Sequence, residues 1–478
     1  MSLMAARYSA PGKDASREAP PPAPTAAARR DAAASLLGLT PRGAVLRLAL
    51  PTTLVMAVAA VSNVSYTWFV SRLGVDAIAA VSLVFPISLL AVTVMGGGIG
   101  SGSAAAVARA LGAGRREFAA ASAGHALVLS VVIGAAFGLL VVPLAPKIFA
   151  LMGAQGRVLA DAVTFARIVF GGAFITFVGG MFDSVLRGEG NARVPAIWAT
   201  TSLALQIVVT PLLMFGAGLG LPGAALAMIL CQGLATLPRA WFMFSGRSTV
   251  RPALPRHVGL APTRDILRVG LPAALSTSIA YLGTLILTGV VARLGEPQLA
   301  AFGLGTRLDF VLLSFAFGFG SAVLTLVGLT VGAGRPERAG LYVRAAGVFT
   351  VAILGAGGVT LALWPRLWLG LFTHDAAVLD AGAAYFAVVG PSYPFLGVSM
   401  VLAFAFQGLG RATAPMLLMA VRVTLVLAGA VVVTRGLGMG APAVFVVIAA
   451  GNVLSSVLLL ALWRRRGPHT GAATLRGV

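Results

Sequence analysis

Two charged residues, Arg307 and Asp309, interrupt the otherwise apolar second half of "VARLGEPQLAAFGLGTRLDF", residues 291–310. A carboxyl group in the interior of a bilayer costs at least a few kcal/mol, so it must face protein or water and find partners there. Such a group can take up a proton on one side and release it on the other if its exposure alternates. Residues two apart on a helix point about 200° from each other. Arg307 and Asp309 are therefore expected to have separate partners, with Arg307 bonding another helix or reaching the outer surface. Asp309 then reads as an ion-coupling or substrate-contact group, and an interhelical hydrogen-bond staple is the alternative. Of the 14 acidic residues, the other that falls outside loops and tails is Asp183. It lies five residues before Gly188 and reads as a water-accessible helix-end acid paired with Arg187 at i+4; a proton site is its second reading.

Asn63, Tyr66, Gln206 and Thr210 are uncharged polar residues in apolar surroundings. They could line a cavity through hydrogen bonds and stacking, or simply pack helices. Trp68, Phe69, Tyr281, Phe310, Phe317 and Tyr385 offer cation–π surface to a cationic compound, or else face lipid. His125, His257, His374 and His469 are too scattered for a metal site. Cys231 is the only cysteine, so no intrachain disulfide forms. No cluster of intramembrane His, Asp or Glu points to an enzyme, and no phosphate-binding loop or other cofactor motif is visible.

The elements that position these residues are helices. The chain has 478 residues, 58% hydrophobic and 10% charged, with mean hydropathy +0.95. Apolar stretches of about 20 residues recur throughout, the length that crosses hydrocarbon as a helix. The fold class is an all-α integral membrane protein. Twelve spans are expected, at 46–70, 77–106, 120–145, 160–184, 194–216 and 222–245, then 268–290, 298–329, 341–364, 380–405, 413–434 and 440–463. The net charge of +21 is assigned to loops that meet anionic headgroups rather than to nucleic acid. Basic residues concentrate in "GAGRRE", "RGEGNAR", "GAGRPER", "WRRRG" and the connection "SGRSTVRPALPRHVGLAPTRD". By the positive-inside rule, both termini and that linker lie in the cytoplasm, and the protein is a multi-pass protein of the plasma (inner) membrane. The domain reading is a disordered tail (1–42), a six-helix lobe (43–245), a linker (246–267), a second six-helix lobe (268–464) and a tail (465–478). The first residues lack the apolar core of a signal peptide.

The two lobes are written in the same phrases. Leu50-Pro51 matches Leu271-Pro272, and Arg72-Leu73-Gly74 matches Arg293-Leu294-Gly295, both 221 residues later. Gly112-Ala113-Gly114-Arg115 matches Gly332-Ala333-Gly334-Arg335, and Gly188, Gly190 and Pro195 match Gly408, Gly410 and Pro415, now 220 later. Each half crosses six times, so the halves are parallel and related by a pseudo-two-fold axis along the membrane normal. A cleft between parallel halves favours a carrier working by alternating access. Asp309 falls opposite Ser88, so the acid breaks the repeat. "GGGIGSG" (96–102) and "GFGS" (318–321) read as close helix packing or as hinges.

With these phrases in hand, the chain resembles the multidrug and toxic compound extrusion (MATE) family. The matching phrases are "RLGVDAIAA" and "RLGEPQLAA", "LGAGRREFA" and "VGAGRPERA", "LRGEGNARVP", and "PLLMFGAGLGLPGAALA". The resemblance covers about residues 45–465. It implies two six-helix bundles in a V and export of hydrophobic, often cationic, organic compounds against inward H⁺ or Na⁺, with the bilayer as surroundings and no obligate protein partner. Many relatives carry an acid in the first span and an Asn…Asp pair in the fifth; here Tyr66, Gln206 and Thr210 stand at those places. A flippase or exporter of a lipid-linked saccharide or other amphiphile is the alternative, and would favour a cationic cavity and often more than twelve spans.

Overall fold

The computed structural model describes residues 35–254 and 258–468. A helical turn at 35–38 precedes twelve spans: α1 (Pro41–Ser71), α2 (Val75–Gly112), α3 (Arg116–Leu151), α4 (Gly156–Gly171 and Ala173–Gly188), α5 (Arg193–Gly216), α6 (Gly220–Phe244), α7 (Ala261–Ala292), α8 (Glu296–Gly332), α9 (Pro336–Leu363), α10 (Ala376–Gly408), α11 (Thr413–Gly436) and α12 (Ala441–Arg466). Eleven of these helices are long and apolar enough to cross a membrane unaided. The fourth is bent by 44° at Gly172 and counts as one span with its two halves taken together.

The expected tails and linker partly fall outside the description: residues 1–34, 255–257 and 469–478, which include His257 and His469. Leu36 is buried against the second lobe, α7 begins at Ala261, and α12 runs through Arg466. These helices extend past the apolar stretches because hydropathy marks the hydrocarbon, not the end of the hydrogen-bonded ladder. Helix starts have local causes. Thr40 accepts from the Gly43 amide with Pro41 at the first helical position, and Asp375 accepts from the amides of Ala377 and Val378.

The repeated glycines are turn and crossing positions. Gly114 and Gly334 close α2 and α8 with φ of 70° and 69°. In both, the following arginine amide bonds back to the helix, Arg115 to Ala110 O and Arg335 to Thr330 O, each at 2.9 Å. This is the left-handed end that glycine adopts without steric cost. One turn earlier, α2 and α8 cross so closely that a Cβ on Gly112 would strike the Leu329 carbonyl, and one on Gly332 the Arg109 carbonyl. The two contacts are mates under the repeat. So are Gly98 against Ala274 on α7 and Gly318 against Thr53 on α1. The "GGGIGSG" run overlaps a six-residue π segment, Val94–Ile99.

Two six-helix lobes thus meet around α1, α2, α7 and α8. The start of α1 packs in a core with α8, α9, α10 and α12, and Ile266 at the start of α7 packs in the core of the first lobe. These seams lie at the end of the molecule that carries the inter-lobe linker.

Candidate functional site

The second lobe encloses a polar cluster in its apolar core. Asp309 on α8 is largely buried, and Tyr385 on α10 donates to its Oδ2 at 3.5 Å. Tyr393 and Arg422 face the same carboxylate from α10 and α11. Arg422 is held in turn by Asn452 Oδ1 on α12, and Asn452 Nδ2 donates to Ser392 Oγ at 2.9 Å. Asp309 Oδ1 is buried with no hydrogen-bond partner of good geometry among the described residues. A buried carboxylate with one oxygen tied and one free, within reach of a cation, can accept a proton or a small cation at that oxygen.

Arg307 takes no part in this cluster. Its guanidinium is exposed and lies 5.8 Å from the centre of the Phe372 ring. Tyr385 does not line an open cavity: it is 1% exposed, edge-on to Phe302, Phe386 and Phe445. Aromatic packing pulled it into the core, and its hydroxyl found Asp309 there.

Asp183 corrects the sequence expectation. It is not a water-accessible helix-end acid paired with Arg187. It forms an ion pair at 3.0 Å with Arg239 of α6, whose side chain is 1% exposed. The bend at Gly172 leaves the second half of α4 against α6, so the acid at its inner face meets the arginine buried there. Arg187 instead donates to Ser184 Oγ at 3.0 Å.

The first lobe holds the remaining expected residues apart. Tyr66 packs in its core and Thr210 is buried, and neither hydroxyl has a partner among the described residues. Gln206 is half-buried and Asn63 exposed. Tyr281 stacks on Phe310 with ring centres 6.1 Å apart, its hydroxyl facing Thr93 of the opposite lobe. Trp68 is exposed under the guanidinium of Arg72, and Phe69 packs inward.

Where the lobes meet, a pocket is lined by Gly96, Ser101, Arg187, Phe317, Thr325 and Phe404, among others. On its linker side, Arg109 of α2 bonds Asp265 of α7, and Thr325 of α8 donates to the Arg187 carbonyl of α4 at 3.0 Å. These bonds cross from one lobe to the other and shut that end of the seam. Arg109, Arg239, Arg422, Tyr393 and Asn452 were absent from the sequence reading. Arginine within an apolar span was the available signal for two of them, in "TLPRAWF" and "MAVRVTL".

The MatE family model matches residues 51–212 and 272–432, one match in each lobe. The chain belongs to the MatE family. Its two matches coincide with the repeat, and the MATE fold is borne out across the chain. A solved MATE family multidrug resistance transporter in an outward-facing conformation superposes with TM-score 0.84 at 27% identity, covering 90% of this chain and 97% of that one. A transporter of the same superfamily from Pyrococcus furiosus, described as having a binding pocket of reverse polarity, superposes with TM-score 0.85 at 26% identity over the same shares. Among curated relatives, an FAD transporter of Shewanella oneidensis is 27% identical over 371 residues, 77% of this chain and 82% of its own length. A probable multidrug resistance protein NorM of Thermotoga maritima is 24% identical over 327 residues, 66% and 69% of the two chains. The protein is a multi-pass membrane transporter of this family.

Proposed function

We propose that this protein is a secondary active exporter of amphiphilic organic compounds, hydrophobic or cationic ones included, that exchanges cargo for H⁺ or Na⁺ by alternating access. The observation that carries the coupling is Asp309. It is the acid in the second lobe's core, it has one free oxygen, and it has no counterpart at Ser88 in the first lobe. Tyr385 holds the carboxylate in position, and Tyr393 and Arg422 set the field in which it is loaded. The charged linker side faces the cytoplasm by the positive-inside rule, so the closed seam is the cytoplasmic gate and the chain stands open outward. The lobes carry the change of access as rigid bodies, and the glycine crossing of α2 and α8 lets them close on each other at the linker side. No cofactor and no protein partner enters this cycle.

The test is reconstitution in liposomes with a fluorescent cargo, under an imposed pH gradient and then a Na⁺ gradient. Transport driven by one gradient and lost in Asp309→Asn, with the protein still folded, supports the reading. Undiminished gradient-driven transport by the Asn variant overturns Asp309 as the coupling group.

A second reading is favoured by the charge of the inter-lobe pocket. Its lining contains an arginine and no carboxylate, and one relative is named for an anionic, aromatic cargo. An exporter of anionic amphiphiles, the class that includes lipid-linked saccharides, fits that surface.

A further inference from the structure

The pocket between the lobes gathers four spans: Gly96, Gly100, Ser101 and Ala104 from α2, Arg187 from α4, Phe317, Ser321, Leu324 and Thr325 from α8, and Phe404 from α10. It is a narrow crevice that opens to solvent. An anion-binding subsite needs a cation that is not already neutralised, further donors beside it, and a fixed frame. All three are present.

Arg187 has five N–H donors, and its side chain spends them on a single bond to Ser184 Oγ among the described residues. The nearest acid along the helix, Asp183, is committed to Arg239 at 3.0 Å. Two arginines, Arg239 in contact and Arg187 nearby, therefore share one carboxylate, which leaves a surplus positive charge on the cluster beside the pocket. The Ser101 hydroxyl opposite makes no hydrogen bond among the described residues, which leaves a second donor free. The frame is fixed from the other lobe, because Thr325 Oγ1 donates to the Arg187 carbonyl and anchors the root of the side chain. Beside these donors, Phe317 and Phe404 meet edge to face with ring centres 5.4 Å apart, an apolar wall against which a flat ring can lie. Glycine at 96 and 100 keeps the facing helix bare.

We propose that Arg187, with Ser101, forms the anion-recognition subsite of the cargo pocket, and that the preferred cargo carries a phosphate or carboxylate together with a flat aromatic ring. This rests on the transport reading above and gives it a substrate class. Arg187 and Ser101 come from the first lobe, and Phe317, Thr325 and Phe404 beside them from the second, so the pocket around the anion is complete when the linker-side seam is closed and loses its aromatic wall when it opens.

The experiment uses the full chain in vesicles of phosphatidylcholine and a matched pair of probes, riboflavin and its 5′-phosphate, with ethidium as a cationic reference. Binding is read from flavin fluorescence and transport from efflux under the driving gradient. Wild type is expected to bind and move the phosphate about tenfold better than riboflavin, Arg187→Gln to erase that preference, and Arg187→Lys to keep most of it. A size-exclusion profile and thermal midpoint of Arg187→Gln equal to those of wild type show that the variant is folded. Equal handling of the two flavins by wild type, or a preference unchanged in Arg187→Gln, overturns the assignment. Arg187-dependent binding of the phosphate without transport of any probe keeps the subsite and removes the transport reading. If phosphatidylglycerol in the vesicles displaces the flavin phosphate from wild type but leaves ethidium unaffected, the subsite belongs to a lipid headgroup, which overturns the cargo class.

Discussion

Arg109 and Asp265 face each other across the seam between the lobes, with Nη2 of the arginine 2.9 Å from both carboxylate oxygens. The Nη1 of the same arginine donates to the carbonyls of Gln407 and Gly408, at 3.4 and 3.2 Å. One side chain from the first lobe thus holds two elements of the second, at the end of the molecule that must part if access alternates.

That latch is partly exposed, 14% and 29% for the two side chains, so solvent screens it and its strength is on the order of 1 kcal/mol. In a two-state carrier this is enough to shift the populations several-fold. Arg109→Ala is expected to increase opening of the linker side, read as a longer distance between spin labels placed on α3 and α9. The charge swap Arg109→Asp with Asp265→Arg should recover much of the closed population. An unchanged distance distribution in Arg109→Ala would remove the latch from the account.

The buried pair in the first lobe should behave differently. Arg239 is 1% exposed, and removal of one partner of a buried pair strands the other charge, at about 3–5 kcal/mol. Asp183→Asn is expected to lower the thermal midpoint of the purified protein sharply. The apolar double replacement Asp183→Leu with Arg239→Met should restore most of it. A small effect of Asp183→Asn alone would mean that Arg239 reaches water.

The glycine crossing predicts a positional contrast. Gly112→Ala and Gly332→Ala push a methyl into a backbone carbonyl of the opposite lobe, whereas Gly96→Ala meets nothing within 4 Å. The first two are expected to block closure of the linker-side seam and abolish transport, and Gly96→Ala to leave it nearly intact. Proteoliposome flux measures both, and cysteine accessibility near Gly410 reports the state of the seam.

A pH response is built into the linker. Glu189, in the loop after α4, is 2% exposed and accepts from Ser248 Oγ at 2.7 Å and from the Val250 amide at 3.0 Å. Burial pushes its carboxyl up to about 7, against hydrogen bonds that pull the other way. A carboxyl raised on folding favours the docked state fully below its ordinary value of 4.5 and loses that contribution as pH rises through about 7. The span corresponds to at most ~3 kcal/mol. Hydrogen exchange at 248–250 should therefore accelerate from pH 5 to pH 8 beyond the intrinsic rate. In Glu189→Gln the excess should vanish. An excess that survives in the Gln variant would assign it to another group.

The spans, the doubling and the isolation of Asp309 were legible in the sequence, because hydropathy, a constant repeat offset and a lone intramembrane acid are local signals. Partners were not. Asp183 looked like a mate for Arg187 because i+4 spacing is visible along a chain, whereas Arg239 lies 56 positions later and meets it through helix packing. Tyr385 looked like cavity surface because an aromatic ring carries no mark of which way it turns; three neighbouring rings decided that. The arginines at 239 and 422 passed unnoticed because a single charge barely lowers the mean hydropathy of a span. The local mark they do carry is a lone base within an apolar run, in "TLPRAWF" and "MAVRVTL".

Two charge couples lie on unlike helices, Asp183 paired with Arg239 on α4 and α6 and Asp309 facing Arg422 on α8 and α11, and each stays within its own lobe, unlike the partly exposed Arg109–Asp265 latch. If the lobes rock, every such dipole rides with the body that contains it and is never pulled apart. The empty return stroke then drags little charge through the transmembrane field. Membrane voltage would act chiefly on what is aboard, and current recorded during turnover would count the passengers rather than the machine.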